Sequence, residues 1–374
     1  MNLMPPLNAM EQAFLAGDRS FDGLFVAAVR TTGIFCRPSC PARKPKPDHL
    51  EYFATPSDAA SAGYRACLRC VPERPTGSVP AWLEPLFSRL ESEPDRKWDG
   101  EQLQELGLEP ARVRRWFQQH HGMTFAAYCR TRRLGRALET IRTGGSLDDA
   151  ALGHGYESHS GFREAFRRHF DQPPGTAREA RCLRADTVAS PLGTILLVAS
   201  DLGLCRLSFG EEESADNVLA ATKRLMKLPL VPGESPVLTQ TRAELADYFA
   251  GTLRKFSVPL DVPGTEFQQR VWNGLRAIPY GSVRSYAELA AEIGCPSGQR
   301  AVGMANGANR IAIIIPCHRV VNTGGALGGF SGGLWRKRLL LELERTGRPL
   351  ALSDSEIGAE APPGKHPKQP AKTL

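Results

Sequence analysis

The spacing of apolar positions changes character several times along the chain, and each change marks a boundary. Residues 81–181 carry apolar side chains at helical spacing with few β-branched runs, which predicts an all-helical segment. Within it, 99–121 and 146–170 both read as helix-turn-helix. A glycine marks the turn of the first, Pro110 opens its second helix, and Arg112, Arg114 and Arg115 ride on that helix. In the second motif Ser158 is placed as N-cap, and Phe162, Phe166 and Phe170 recur every fourth residue as a buried stripe. A long helix bearing Arg130, Arg132, Arg133 and Arg136 is predicted between the two. At 187–209 the pattern switches to strands: Thr194–Ala199 and Leu204–Phe209 flank a turn at 201–203, a hairpin signal. A helix is predicted over 239–251, and from 266 to 345 helical segments alternate with short loops. The apolar run Ile311-Ala-Ile-Ile-Ile315 is cut by Pro316, so regular structure is expected to end at Cys317. Segments 71–80 and 261–264 read as linker and hinge, and the tail from Leu352 is expected to be disordered.

Composition narrows the class. A chain of 374 residues suggests two or three domains, and 41% hydrophobic with 23% charged residues is ordinary for packed soluble domains. No run of 18 apolar residues occurs, and the N-terminus has neither the basic nor the apolar region of a signal peptide, so a cytoplasmic protein without membrane contact is expected. Nine cysteines in that compartment are expected to be metal ligands, nucleophiles or small core residues, not disulfides. Net charge is +7, of which +6 falls in residues 264–350, where ten of the 11 cations are arginine. Arginine-rich surfaces favour phosphate partners, which points to nucleic acid.

Four of the cysteines have ligand spacing. Cys36, Cys40, Cys67 and Cys70 run C-x3-C, then 26 residues, then C-x2-C. Two such pairs complete a tetrahedral Zn(Cys)4 shell, and by spacing alone the expectation is a structural zinc that holds a small domain together. The run Arg30-Thr-Thr-Gly-Ile-Phe-Cys-Arg-Pro-Ser-Cys-Pro-Ala-Arg43, followed by Tyr64-Arg-Ala-Cys-Leu-Arg-Cys70, resembles the N-terminal domain of the Ada family of DNA repair proteins. In that family the first cysteine of the set accepts a methyl group from methylphosphotriesters of the DNA backbone, a role the resemblance assigns to Cys36. The physics agrees. Zinc holds the thiolate deprotonated without a base, and methylation removes one of the cluster's two formal negative charges. Repulsion from DNA phosphates then weakens, so a repair event can switch DNA binding. Arg37, Arg43, Arg65 and Arg69 are candidate phosphate contacts, with plain solubility as the alternative.

The helical segment resembles the AraC-type DNA-binding domain, in which two helix-turn-helix motifs joined by one helix read major grooves about one helical turn apart. Asp171 departs from the family's common glycine after the last phenylalanine, while Pro174 keeps the family's proline.

Adjacent Cys317 and His318 are weak evidence alone, because a buried inert cysteine is the default. The surroundings change this. Arg300-Ala-Val-Gly-Met-Ala-Asn-Gly-Ala-Asn309, Pro316-Cys-His-Arg319, Phe330-Ser-Gly-Gly-Leu334 and Thr265-Glu-Phe-Gln-Gln-Arg-Val-Trp272 together resemble the O6-alkylguanine-DNA alkyltransferase family over about residues 187–347. The resemblance implies Cys317 as alkyl acceptor, His318 as the base acting through a water, Glu344 as its orienting carboxylate and Asn309 as a buttress, the logic of a catalytic triad. It implies Tyr286 as the residue that helps rotate the nucleotide and protonates the leaving guanine, and Arg300 as the side chain that fills the gap of the flipped base. Ser331 and Gly332 fall in its pocket loop. Arg310 replaces the proline common after the asparagine. Glu344 alone could be a solvated helix charge. Cys129, Cys182, Cys205 and Cys295 match no motif and are read as small core or surface residues.

The combined resemblance implies a multidomain α+β chain. Residues 1–78 are expected to form a small zinc-bound α/β domain, 80–184 an all-α double helix-turn-helix, 186–263 a ribonuclease-H-like subdomain, 264–350 a helical DNA-binding subdomain, and 351–374 a disordered tail. It further implies irreversible methyl transfer from O6-methylguanine and O4-methylthymine to Cys317, and from methylphosphotriesters to Cys36, the latter activating alkylation-repair genes. One Zn(2+) per chain and no organic cofactor are expected. The expected partners are double-stranded DNA, both alkylated and promoter, and RNA polymerase, with the chain a monomer. The alternatives are a repair enzyme without regulatory output, or a zinc-containing transcription factor with a lesion-recognition domain.

Overall fold

The structure is a computed structural model that describes residues 7–18, 21–22, 25–73, 80–209 and 215–350. The tail from 351 and part of the 71–80 segment lie outside the described residues.

In the first module, α1 (Leu7–Ala16) lays Met10, Ala13 and Phe14 on one face of a sheet. Gly33, at φ +65°, closes the hairpin between β1 (Val26–Val29) and β2 (Ile34–Cys36). β3 (Leu50–Phe53) pairs antiparallel with β1. α2 (Pro56–Ser61), started by a Thr55–Asp58 capping box, covers the other face through Ala59. β4 (Arg65–Ala66) pairs parallel with β2, giving the order β3-β1-β2-β4. That last pairing matters chemically, because Phe35 opposite Ala66 brings the strand-end cysteines 36 and 67 side by side.

The second module is all helical: α3 (Glu84–Ser92), α4 (Gly100–Glu105), α5 (Pro110–His121), α6 (Phe125–Arg142), α7 (Leu147–Leu152) and α8 (His159–Phe170). Each short first helix of a motif opens on a capping box, Asp99 with Gln102 and Ser146 with Asp149. The Ser158 hydroxyl accepts from the Gly161 N–H at the start of α8, and Phe162, Phe166 and Phe170 are buried as a stripe. Two of the α6 arginines tie the helix to its surroundings: Arg132 donates to the Leu90 carbonyl at 2.8 Å and Arg136 pairs with Asp95 at 3.1 Å. Asp171 adopts φ +57° and its N–H donates to the Arg167 carbonyl at 2.9 Å. It therefore fills the left-handed helix-ending position that glycine takes without strain.

The third module carries β5 (Leu183–Val188), β6 (Ile195–Ala199), β7 (Leu204–Phe209), α9 (Ala215–Met226), β8 (Leu230–Pro232) and α10 (Pro236–Phe249). Its sheet is ordered β7-β6-β5-β8, with the expected β6–β7 hairpin antiparallel and β5–β8 parallel. β5 begins inside the segment expected to end at 184, and only residues 180–182 separate it from the 3-10 turn at Pro174–Glu179. Leu134, Ala137, Leu138 and Ile141 of α6 share one apolar cluster with Cys182 and Val231. Gly135 permits this approach, since a Cβ there would lie 2.9 Å from a Val231 methyl.

The fourth module contains α11 (Glu266–Ala277), β9 (Arg284–Ser285), α12 (Tyr286–Glu292), α13 (Gln299–Gly307), β10 (Val320–Val321) and α14 (Leu334–Thr346). One core joins it to the sheet before it, with Leu197 and Leu207 packed in the same cluster as Trp272, Leu275, Leu340 and Leu343.

Asp171→Gly is expected to stabilise the chain by about 1 kcal/mol, because glycine removes the left-handed Cβ penalty. Chemical denaturation followed through the helical module checks this; an unchanged or lower midpoint would show that the aspartate side chain offsets its backbone strain.

Candidate active site and metal centre

Cys317 stands at the end of a loop wound from two tight turns. The Ile314 N–H donates to the Ala312 carbonyl at 2.8 Å across Ile313, whose φ is +71°. The Cys317 N–H donates to the Ile315 carbonyl at 2.8 Å across Pro316, at φ −81° and ψ 63°. Both are three-residue γ-turns, and the positive φ at β-branched Ile313 persists only where the surroundings over-determine it. Asn309 does so. Its Oδ1 accepts from the Ile311 N–H at 3.0 Å, and its Nδ2 donates to the Ile315 carbonyl at 2.8 Å and to Cys317 Sγ at 3.1 Å. Arg310 donates to the Pro263 carbonyl at 2.9 Å and so ties the start of the loop to the 261–264 hinge.

His318 and Glu344 are both buried, with His318 Nε2 and Glu344 Oε1 2.9 Å apart. The same carboxylate accepts from Arg319 Nε at 2.8 Å and Nη2 at 2.9 Å, from the Tyr248 hydroxyl at 2.7 Å and from the Gly281 N–H at 3.1 Å. Burial works against its charge, but the hydrogen bonds and charges of His318 and Arg319 outweigh that and hold it well below the usual carboxylate range. Glu344 is thus no solvated helix charge. Because the imidazole Nε2 faces an anion it carries the proton there, and its buried Nδ1, which meets no protein partner, is left as the acceptor. Burial lowers His318 below the ordinary histidine value despite Glu344, so the ring is neutral at neutral pH. Burial pushes the Cys317 thiol up, opposed by the Asn309 amide and the Lys337 charge. At neutral pH Cys317 is a thiol beside a neutral base.

Three partners escaped the sequence reading, Tyr248 among them. Arg319 was quoted only as part of its motif. Lys337 is buried, donates to the Val320 carbonyl at 2.5 Å and to the Gly329 carbonyl at 3.3 Å, and burial lowers it to about 8 against the pull of Cys317. The signal for Lys337 was positional: it lies on the same face of α14 as Leu340 and Glu344.

The remaining predicted residues frame this centre. Tyr286 is half-buried at the start of α12, where a Cβ at Gly303 would approach its ring at 3.8 Å and one at Gly328 at 3.4 Å. Arg300 is exposed on the first turn of α13. Ser331 is exposed, and Gly332 is buried where a Cβ would come within 2.6 Å of both Phe209 and Phe330, so only glycine fits.

The second centre lies in the first module. The sulfurs of Cys36, Cys40, Cys67 and Cys70 all fall within 4.8 Å of one another, and those of Cys40 and Cys67 are 4.0 Å apart. A tetrahedral shell with Zn–S of about 2.3 Å spaces its sulfurs by about 3.8 Å, so the residues fit one zinc. The hydrogen bond with Cys70, then burial, push the Cys36 thiol well above its usual range, and burial lifts Cys40 to about 11. Hydrogen bonding from Cys36 lowers Cys70 to about 6. Four thiolates so crowded require a cation. The Arg37 N–H reaches Cys70 Sγ at 3.4 Å and its guanidinium donates to the Val71 carbonyl at 2.9 Å, while Arg43, Arg65 and Arg69 are exposed nearby in sequence.

Comparison with known proteins matches four family models: the metal binding domain of Ada over residues 9–73, a helix-turn-helix domain over 103–180, and the ribonuclease-like and DNA binding domains of 6-O-methylguanine DNA methyltransferase over 183–262 and 266–346. The bifunctional transcriptional activator/DNA repair enzyme Ada of Escherichia coli is 34% identical over 344 residues, 89% of this chain and 95% of the relative. A methylated-DNA–protein-cysteine methyltransferase of Mycobacterium tuberculosis is 57% identical over 110 residues, 29% of this chain and 67% of the relative. Among solved structures, that of Mycobacterium tuberculosis OGT in complex with DNA is 44% identical, covers 45% of this chain and 94% of its own, and has a TM-score of 0.39. With a relative matched along nearly its whole length and all four modules in the same chain, the protein belongs to the Ada family.

Proposed function

We propose that the chain is a single-turnover methylated-DNA–protein-cysteine methyltransferase that also activates transcription, with Cys317 and Cys36 as separate methyl acceptors. The observation that carries this reading is the pair of hydrogen bonds Asn309–Cys317 and His318–Glu344, which join a buried thiol and the buried histidine next to it in sequence to an ionised orienter.

At Cys317, His318 Nδ1 draws the thiol proton through one water. The thiolate attacks the methyl carbon of an extruded O6-methylguanine, the S–C bond forms as the C–O bond breaks, and the electron pair stays on the guanine. The Tyr286 hydroxyl supplies the proton that neutralises the leaving base. Asn309 steadies the sulfur, and Glu344 stabilises the imidazolium that His318 becomes. Nothing beside the product thioether can hydrolyse it, so each chain acts once. O4-methylthymine follows the same path.

At the second centre zinc, when bound, keeps all four thiols deprotonated. Cys36 therefore attacks a methylphosphotriester without a base, and a phosphodiester leaves. The cluster loses one negative charge, and Arg37, Arg43 and Arg69 then hold DNA phosphates against weaker repulsion. The helix-turn-helix module reads the promoter. We take the working boundaries as 1–78, 80–184, 186–263, 264–350 and 351–374. DNA is the partner; contact with RNA polymerase, action as a monomer and a cytoplasmic location complete the reading. Among the described residues no helix is long and apolar enough to cross a membrane.

Methylated duplex DNA with a labelled methyl group is expected to leave one label on the Cys317 peptide and one on the Cys36 peptide, without turnover; label on Cys317 alone would leave the zinc purely structural. In a reporter strain, Cys36→Ala is expected to abolish induction by a methylating agent, and unchanged induction would sink the switch. Glu344→Gln is expected to slow transfer to Cys317 by about 10²–10⁴-fold and to cost about 3–5 kcal/mol, since buried Arg319 loses its counter-charge. Because burial lowers His318, its neutral form persists below the ordinary value of 6.5. The single-turnover rate is thus expected to stay level as pH falls through that value, and a decline beginning above it would exclude His318 as the acceptor.

A further inference from the structure

Helix α13 is fixed from behind. Val302, Ala305 and Asn306 are buried, and the Trp272 indole N–H donates to the Ala305 carbonyl at 2.9 Å. Its other face is exposed at Arg300, Ala301, Met304 and Gly307. This stripe holds two long side chains, one turn apart, on a ground of alanine and glycine. Met304 is 78% exposed, second only to Leu68 among the large apolar side chains of the described residues. An apolar side chain that far from the core does nothing for packing.

Two observations say what covers it. The stripe borders the reacting centre, since Gly303 faces the Tyr286 ring and a Cβ at Gly307 would meet nothing within 4 Å, leaving the surface smooth enough for another backbone to approach. It also belongs to the segment that holds +6 of the chain's net +7 charge. A smooth helix face on a net-basic subdomain, adjoining a nucleophile's pocket, suits a duplex groove walled by phosphates.

We propose that Met304 is a second wedge beside Arg300, its thioether chain pressing between base pairs of the minor groove while Arg300 fills the place of the extruded nucleotide. The inference rests on the reading of Arg300 given above. Four residues advance a helix by about 6 Å, close to two base-pair rises of about 3.4 Å, so the two side chains meet steps about two base pairs apart when the helix follows the groove. Methionine suits this work because it is apolar and unbranched, and adapts to an irregular gap. Apolar wedges of this kind unstack a step and hold a duplex open.

The test compares single-turnover transfer by the full chain from one O6-methylguanine oligonucleotide, double-stranded and single-stranded, for wild type, M304A, M304L and R300A. A 2-aminopurine beside the lesion reports unstacking. M304A is expected to slow the duplex reaction about tenfold or more and to lose the fluorescence rise, to stay within about twofold on the single strand, and to be rescued by M304L. If M304A matches wild type on the duplex while R300A is slow, the wedge is overturned and the reading of Arg300 stands. If R300A also matches wild type, that reading falls and the wedge with it. A change of oligomeric state in M304A would assign the face to a second copy of the chain and likewise overturn the proposal.

Discussion

The reacting half of the molecule is organised around one buried carboxylate. Glu344 on α14 accepts hydrogen bonds from His318 and Arg319 on the turn after the nucleophile, from Tyr248 on α10, and from the backbone of Gly281 before β9. Four separate stretches of chain therefore meet at two oxygens. A buried anion is tolerable only when such donors replace its water, and one of these donors, His318, is the proposed base. Arg319 also donates to the Ile278 carbonyl at 2.7 Å, which extends the grip to the end of α11. Orientation of His318 and cohesion of the subdomain are one interaction.

The two proposed methyl acceptors would reach a reactive sulfur by opposite routes. Cys317 is held as a thiol by burial and is activated only when a base takes its proton. The Cys36 cluster is crowded beyond what four bare thiolates could bear, so a cation sets its charge in advance. The first arrangement limits reaction to a nucleotide that enters the pocket. The second leaves a nucleophile permanently armed, with its product recorded as a change of charge.

Much of this was legible in the sequence, where local rules act. The cysteine spacing gave the metal ligands because short turns fix sulfur positions. The phenylalanine stripe and the capping residues gave the helices, and two strand-like runs around the turn at 201–203 gave the β6–β7 hairpin. The line Cys317, His318, Asn309 and Glu344 was readable only from the joint pattern of motifs, since no single spacing rule links residues 309 and 344. What stayed hidden depends on tertiary contact. Tyr248 gives no polar signal in a helix of ordinary pattern, and Lys337 looks like a solvated charge until its helix is seen to be buried on that side. The join of α6 to β8 could not be read either, because it rests on Gly135, and a glycine inside a helix usually signals weakness, not contact. Asp171, a departure from the family pattern, proved to be a substitution within one backbone conformation.

That join reaches beyond geometry. Val231 belongs by strand pairing to the alkyltransferase sheet and by packing to the apolar cluster of the helix-turn-helix module. Arg184 spans the same seam, donating to the Gly135 carbonyl at 3.0 Å. Segments that share a core melt as one cooperative unit and do not inherit independent stabilities. Selection on the gene reader is therefore felt by the repair catalyst. A substitution that loosens one draws down the common reserve of both, and the two activities must drift together.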